Sequence, residues 1–159
     1  MTESPPQRPL SDFAITIELP VLWGDQDAFG HVNNTLSFRW FESARIVYLE
    51  RSGMAALMTA SGVGPILASV SCNFRRQLRY PDTVHIGARI SRLGRSSFTM
   101  EHAVYSASQQ TIASDGSSTV VVFDYKVNRP QRISDDLRSA AKRVDTVVDT
   151  IQSPGGVEG

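Results

Sequence analysis

Apolar residues along this chain follow two periods, and the change from one to the other divides it into predicted elements. From Phe13 to Trp23 (FAITIELPVLW) apolar and polar positions alternate through Ile15, Thr16, Ile17, Glu18 and Leu19, which predicts a strand, with Pro20 favouring a sheet edge or a bulge. Thr35 to Arg51 (TLSFRWFESARIVYLER) holds no Gly or Pro, and Leu36, Trp40, Phe41, Ala44, Val47 and Tyr48 recur at helical spacing. Phe38, Ile46 and Leu49 widen that face, so the pattern predicts a central, mostly buried helix that stops at Gly53. A short second helix is predicted over Met54 to Ala60, broken by Gly62-Val-Gly-Pro65. Beyond it the period falls to two. Ile66 to Arg79, Thr83 to Leu93, Ser97 to Ser106 and Thr119 to Val127 read as strands, with Tyr80-Pro81-Asp82 and Gly94-Arg95 at two of the corners. Thr111 to Ala113 extends the last strand or stands apart from it, and Asp115-Gly116 reads as a bulge or a turn. Ser134 to Thr150 opens with a capping Ser and two acids and keeps Leu137, Ala140, Ala141, Val144, Val147 and Val148 on one face, so it predicts a closing helix. Hairpin-length connections among the four later strands imply an antiparallel sheet and an α+β class.

Composition narrows the partners. The 159 residues carry 16 Lys+Arg against 16 Asp+Glu, a formal net charge of zero, which gives no bulk attraction to nucleic acid or to an anionic membrane. A hydrophobic fraction of 41% at this length suits a single domain with a genuine core. Residues 1–11, with three prolines, and 152–159, rich in Gly, are expected to be disordered tails around one domain at 12–151. The one cysteine, Cys72, cannot form an intramolecular disulfide, and the N-terminus shows no secretory signal, so a cytoplasmic setting is the expectation. No uninterrupted apolar run is long enough to cross a bilayer.

Several kinds of chemistry are missing from the sequence. There is no Gly-x-Ser-x-Gly elbow, no P-loop and no complete Gly-x-Gly-x-x-Gly, and three scattered histidines with one cysteine make no structural zinc site. The dense polar cluster is Asp25, Asp27, His31, Asn33 and Asn34, between the first strand and the long helix. Asp and Asn in such a place cap helices and close turns, and either Asn33 or Asn34 suits the cap. The same place also suits catalysis: free N–H groups at a helix start polarise a carbonyl while a carboxylate attacks it or activates water. Trp23, Trp40 and Phe41 read as core rather than as a substrate platform.

Trp23-Gly-Asp-Gln-Asp-Ala-Phe-Gly-His-Val-Asn-Asn34 followed by Phe38-Arg-Trp-Phe-Glu-Ser-Ala-Arg45 resembles the start of the hotdog-fold acyl-CoA thioesterases of the 4-hydroxybenzoyl-CoA thioesterase type. Asn73-Phe-Arg-Arg-Gln-Leu-Arg-Tyr-Pro-Asp82, Gly94-Arg-Ser-Ser-Phe98, Val121-Val-Phe-Asp-Tyr125 and Asn128-Arg-Pro130 agree with later strands of that family, and the resemblance runs from about Phe13 to Ser139. It implies a hotdog fold, an antiparallel five-stranded sheet wrapped around a long central helix, plus the C-terminal helix. It further implies that Asp27 carries the reaction, that the helix-start N–H near Asn34 holds the thioester oxygen, and that Gly30, His31 and Val32 shape the site with Asn33. Phe29 and Thr35 fall where relatives vary, and bear on acyl preference.

The function this implies is hydrolysis of an acyl-CoA thioester to free acid and CoA, with Asp27 as nucleophile or general base and coenzyme A entering only as part of the substrate, with no cofactor and no metal. A non-catalytic module binding acyl-CoA or acyl-carrier-protein thioesters is the alternative. Asp25 is expected to bind loop amides, and Glu42 is a possible second carboxylate. Arg75, Arg76, Arg79, Arg92 and Arg95 are candidate contacts for CoA phosphates, with Arg95 and Ser96 on the Gly94 turn preferred. Trp40, Phe41, Leu57 and Met58 are candidates to line an acyl pocket. The resemblance also implies a homodimer or homotetramer with sheets joined at an edge.

Overall fold

A computed structural model describes residues 10–151; the expected tails, apart from Leu10 and Ser11 in a turn, lie outside the described residues. The elements are β1 (Ile15–Pro20), α1 (Thr35–Arg51), α2 (Met54–Ser61), β2 (Val63–Phe74), β3 (Thr83–Leu93), β4 (Ser97–Ser106), β5 (Thr111–Asp124), β6 (Arg129–Pro130), α3 (Asp135–Val144) and β7 (Val148–Asp149). The long strands lie in the order β1-β3-β4-β5-β2, each antiparallel to its neighbour. β6 adds to β5, and β7 lies parallel to β3, so two two-residue strands extend the expected five-stranded sheet. α1 packs across the sheet against β1, β2, β3 and β4, which is the hotdog arrangement. No described helix is long and apolar enough to cross a membrane.

The period-two pattern builds the sheet face that receives α1. Val84, Ile86, Ala88 and Ile90 of β3, Phe98, Met100 and Val104 of β4, and Val120 and Val122 of β5 are buried against Phe41, Ala44 and Tyr48 of the helix. α1 is not buried all round: Phe38, Glu42 and Ile46 form an exposed stripe on its other side, which corrects the expectation of a mostly buried helix. Pro20 closes β1, a strand paired on one side only, where a missing N–H does no harm.

Four boundaries depart from the local pattern, three of them because of a distant partner. Trp23 leaves the first strand for a short 3-10 turn and is 74% exposed, not core. β2 begins at Val63 and stops at Phe74, because the N–H groups of Arg75 and Arg76 both turn to the Ala113 carbonyl and leave the ladder. β5 runs unbroken through Asp115 and Gly116, which pair with β2 on one side and β4 on the other. Gly116 is required there: a Cβ would lie 1.9 Å from the Ser71 carbonyl oxygen and 2.9 Å from the Phe41 ring. α3 ends at Val144 rather than Thr150, because Asp145 turns its carboxylate to the Tyr48 hydroxyl and the Ile90 N–H and the chain then joins β3.

Candidate active site

The loop ahead of α1 is held by its own short-range hydrogen bonds. Asp25 accepts the Leu22 N–H at its Oδ2 (2.7 Å), while its carbonyl accepts from the Asn33 N–H at 2.9 Å, so its carboxylate serves the loop as expected. Asp27 closes a tight turn: its N–H donates to the His31 carbonyl at 2.7 Å and its carbonyl accepts from the Gly30 N–H at 3.1 Å. Gly30 takes φ +78°, a conformation that side chains resist, which lets the chain reverse inside this turn. The Asp27 Oδ1 accepts the Phe29 N–H at 2.8 Å and the His31 N–H at 3.4 Å; among the described residues no donor reaches its Oδ2. One carboxylate oxygen is therefore anchored and the other is available.

The helix start is similarly divided. The Asn33 Oδ1 accepts both the N–H and the hydroxyl of Thr35 at 3.0 Å, so Asn33 supplies the capping side chain. The Leu36 N–H donates to the Asn33 carbonyl and the Ser37 N–H to the Asn34 carbonyl. The Asn34 N–H is left without an acceptor among the described residues, at the positive end of the α1 dipole.

A cavity of about 710 Å³ opens beside this loop. Asp27, His31, Val32, Asn33 and Asn34, all singled out from the sequence, line it, and Gly30 shapes the turn beneath them. Its other wall comes from the segment after β2, tied to the loop where the Val32 N–H donates to the Leu78 carbonyl at 2.7 Å. Arg95 and Ser96 do not line it: they form the β3–β4 turn, where their carbonyls accept the N–H groups of Ile133 and Val122. Trp40, Phe41 and Met58 belong to the core and Leu57 packs against it, so the proposed acyl-pocket lining is corrected, and Glu42 is exposed outside the cavity. Ser37, Phe74, Gln77 and Ser114 line it without having been singled out. Ser37 was findable, since it stands three residues past Asn34 on the same helical face; Ser114 leaves no local signal.

The cationic residues at the rim differ in what already occupies them. Arg75 is paired with Asp115 through two hydrogen bonds, and that pairing holds the Asp115 carboxyl below its ordinary range against the opposing pull of burial. Arg79 sits 3.1 Å from the His31 Nε2. Because a guanidinium only donates, that nitrogen is the acceptor and the ring hydrogen is on Nδ1. The Arg76 side chain makes no hydrogen bond or ion pair among the described residues. At the inner end, Ser37 and Ser114 are both buried with hydroxyl oxygens 3.2 Å apart, and burial pushes the neighbouring Cys72 thiol up. Among the described residues no cluster of three or more His, Cys, Asp or Glu side chains is placed to hold a metal ion.

Known proteins resemble this chain in sequence and in fold. The family model of the thioesterase-like superfamily matches residues 21–141. A candidate thioesterase of Pseudomonas aeruginosa is 31% identical with a TM-score of 0.71, over 80% of this chain and 98% of that one. A Thermus thermophilus thioesterase, solved with coenzyme A and zinc, is 27% identical with a TM-score of 0.75, over 85% of this chain and 96% of that one. The Bacillus subtilis protein YsmA is 28% identical over 92 residues, which is 58% of this chain. The aligned segments span 61% of that protein and 64% of a candidate esterase of Aquifex aeolicus, less than two thirds of either relative's length.

Proposed function

The chain belongs to the thioesterase-like superfamily, and from that premise we propose that it hydrolyses an acyl-CoA thioester to free acid and CoA, with Asp27 and the Asn34 N–H as the reacting pair. The observation that carries the reading is that the available carboxylate oxygen of Asp27 and the unclaimed N–H at the start of α1 belong to residues lining one cavity. A thioester carbonyl gains negative charge on its oxygen as it becomes tetrahedral. A donor fixed in advance at a helix start stabilises that charge without reorganising, and the loss of one such donor typically costs about 100- to 1,000-fold in rate. Asp27 then acts in one of two ways. It attacks the carbonyl carbon, expelling the CoA thiolate and leaving a mixed anhydride for water to open, or it takes a proton from the water that attacks. His31, held by Arg79, keeps an N–H at Nδ1 for substrate or water, and Gly30, Val32 and Asn33 keep the loop in shape. No cofactor or metal enters this scheme.

Arg76, unpaired among the described residues, is the cation this cavity offers to CoA phosphates, while Arg95 and Ser96, away from the cavity of their own chain, would serve that of a second copy. β2 supports such an assembly: it pairs on one side only, with β5, and its twelve residues (VGPILASVSCNF) carry no charge to deter edge-to-edge pairing.

The test is thiol release from aromatic, short-chain and long-chain acyl-CoAs, by wild type and Asp27→Asn, without added metal. Asn keeps the oxygen that accepts the Phe29 and His31 amides, so the melting temperature should hold while kcat/KM falls by about 1,000-fold or more. Turnover retained in the variant would overturn the role of Asp27. Silence of wild type across the panel, with CoA binding intact, would favour the binding module and make acyl-carrier-protein thioesters the next ligands to try.

A further inference from the structure

The inner end of the cavity is polar in a way that hydrolysis alone does not require. Ser37 is 4% exposed and Ser114 is 2% exposed, yet both line the cavity. Their oxygens lie 3.2 Å apart, and each is the other's only hydrogen-bond partner of ordinary geometry among the described residues. Two hydroxyls hold two hydrogens and four lone pairs; their mutual bond uses one hydrogen and one lone pair, so one hydrogen and three lone pairs remain. Beside them lies the Cys72 thiol, a weak hydrogen-bonding partner. A plain hydrocarbon chain in this place would bury those groups against CH2 and gain nothing from them.

The helix sets the distance from the reacting centre. Ser37 stands one turn past Asn34, about 4.5 Å along the axis at 1.5 Å per residue. An oxygen on the third carbon of an acyl chain lies a similar few ångströms from its thioester oxygen, so it suits Ser37 when the thioester oxygen rests on the Asn34 N–H. A hydroxyl across a benzene ring lies farther from its carbonyl. We infer that the cavity takes acyl thioesters oxygenated at the third carbon, a 3-hydroxyacyl or 3-oxoacyl group read by the Ser37 and Ser114 hydroxyls. This rests on the hydrolase reading above.

The experiment measures kcat/KM for thiol release from matched pairs: 3-hydroxybutyryl-CoA and acetoacetyl-CoA against butyryl-CoA, and 4-hydroxybenzoyl-CoA against benzoyl-CoA. Wild type, Ser37→Ala and Ser114→Ala are run in parallel, with their melting temperatures. Wild type should prefer a 3-oxygenated thioester over butyryl-CoA by about tenfold or more, and the ratio should fall to within about threefold of unity in either serine variant. A ratio near unity in wild type overturns the inference whatever the variants do, and so does a preference that survives both substitutions. A preference confined to the benzoyl pair overturns the position of the oxygen. No thiol release from any member of the panel overturns the hydrolase reading itself, an outcome distinct from hydrolysis without discrimination.

Discussion

Acidification from pH 7 to pH 5 should weaken the fold by about 2 kcal/mol through one residue, His102. Its side chain is 1% exposed, stacked on the Phe41 ring at 4.7 Å between α1 and the sheet. Arg45 donates to the Ser118 oxygen at 3.1 Å, so the Ser118 hydroxyl turns its hydrogen to the His102 Nε2 at 2.7 Å and the ring is held neutral. The other nitrogen, Nδ1, makes no hydrogen bond of ordinary geometry among the described residues. Burial above all, and the nearby Arg45 charge after it, push His102 down to about 3, with the Gly87 carbonyl beside the ring pulling the other way. In the unfolded chain a histidine titrates near 6.5. Between those values the unfolded chain holds a proton that the folded chain lacks, so stability is complete above the unfolded value and is lost as pH falls through the window. Integrating the one-proton difference from pH 7 to pH 5, at about 1.4 kcal/mol per unit, gives the figure above. The assay is urea unfolding at pH 7, 6 and 5 of wild type and His102→Gln, taking the difference in ΔG at each pH so that other titrating groups cancel. A difference that stays flat across this range would refute the argument, because it would mean that His102 becomes charged in the folded state.

Two further substitutions test how the fold is held. Arg138, 1% exposed, donates to Asp149 at 2.7 Å and to the carbonyls of Gly94 at 2.6 Å and Ile133 at 3.3 Å, which pins α3 and β7 to the β3–β4 turn. Arg138→Met takes from the buried Asp149 carboxylate its bond to the guanidinium while Lys142 stays at 3.0 Å, and should cost about 3–5 kcal/mol in urea unfolding; a loss below about 1 kcal/mol would show the pair to be dispensable. Gly116→Ala places a methyl against the Ser71 carbonyl and should cost about 2–3 kcal/mol, with hydrogen exchange quickening first in the amides of β2; an unchanged melting temperature would contradict the close approach.

Where an element answers to neighbours in the chain, the amino-acid pattern was enough to place it. Thr35–Arg51, Thr83–Leu93 and Ser97–Ser106 stand where their spacing predicts them, and Ser134 caps α3 by accepting the Leu137 N–H at 3.2 Å. The loop that carries Asp25, Asp27, Gly30 and Asn33 was legible for the same reason: its hydrogen bonds join residues a few positions apart, and their order in the sequence is nearly their order in space. The choice between Asn33 and Asn34 was not legible, because it turns on which side chain reaches Thr35 once the helix is formed.

The tertiary structure decided what depends on distant partners. Asp115 and Gly116 look like a bulge or a turn until Asn73, Arg75 and the packing of Phe41 account for them, and a helix running on to Thr150 looks sound until Tyr48 and the Ile90 N–H claim Asp145. Ser37 and Ser114 meet across 77 residues at the base of the cavity, and Arg79 reaches His31 across 48. A periodic pattern records which face of an element is apolar, because that burial repeats every two or every 3.6 residues. A single hydrogen bond between remote residues repeats nothing and leaves no trace in the pattern. The loop ahead of α1 could therefore be read in the order of its residues, whereas the cavity beside it exists only once β2, β5 and α1 have been packed together.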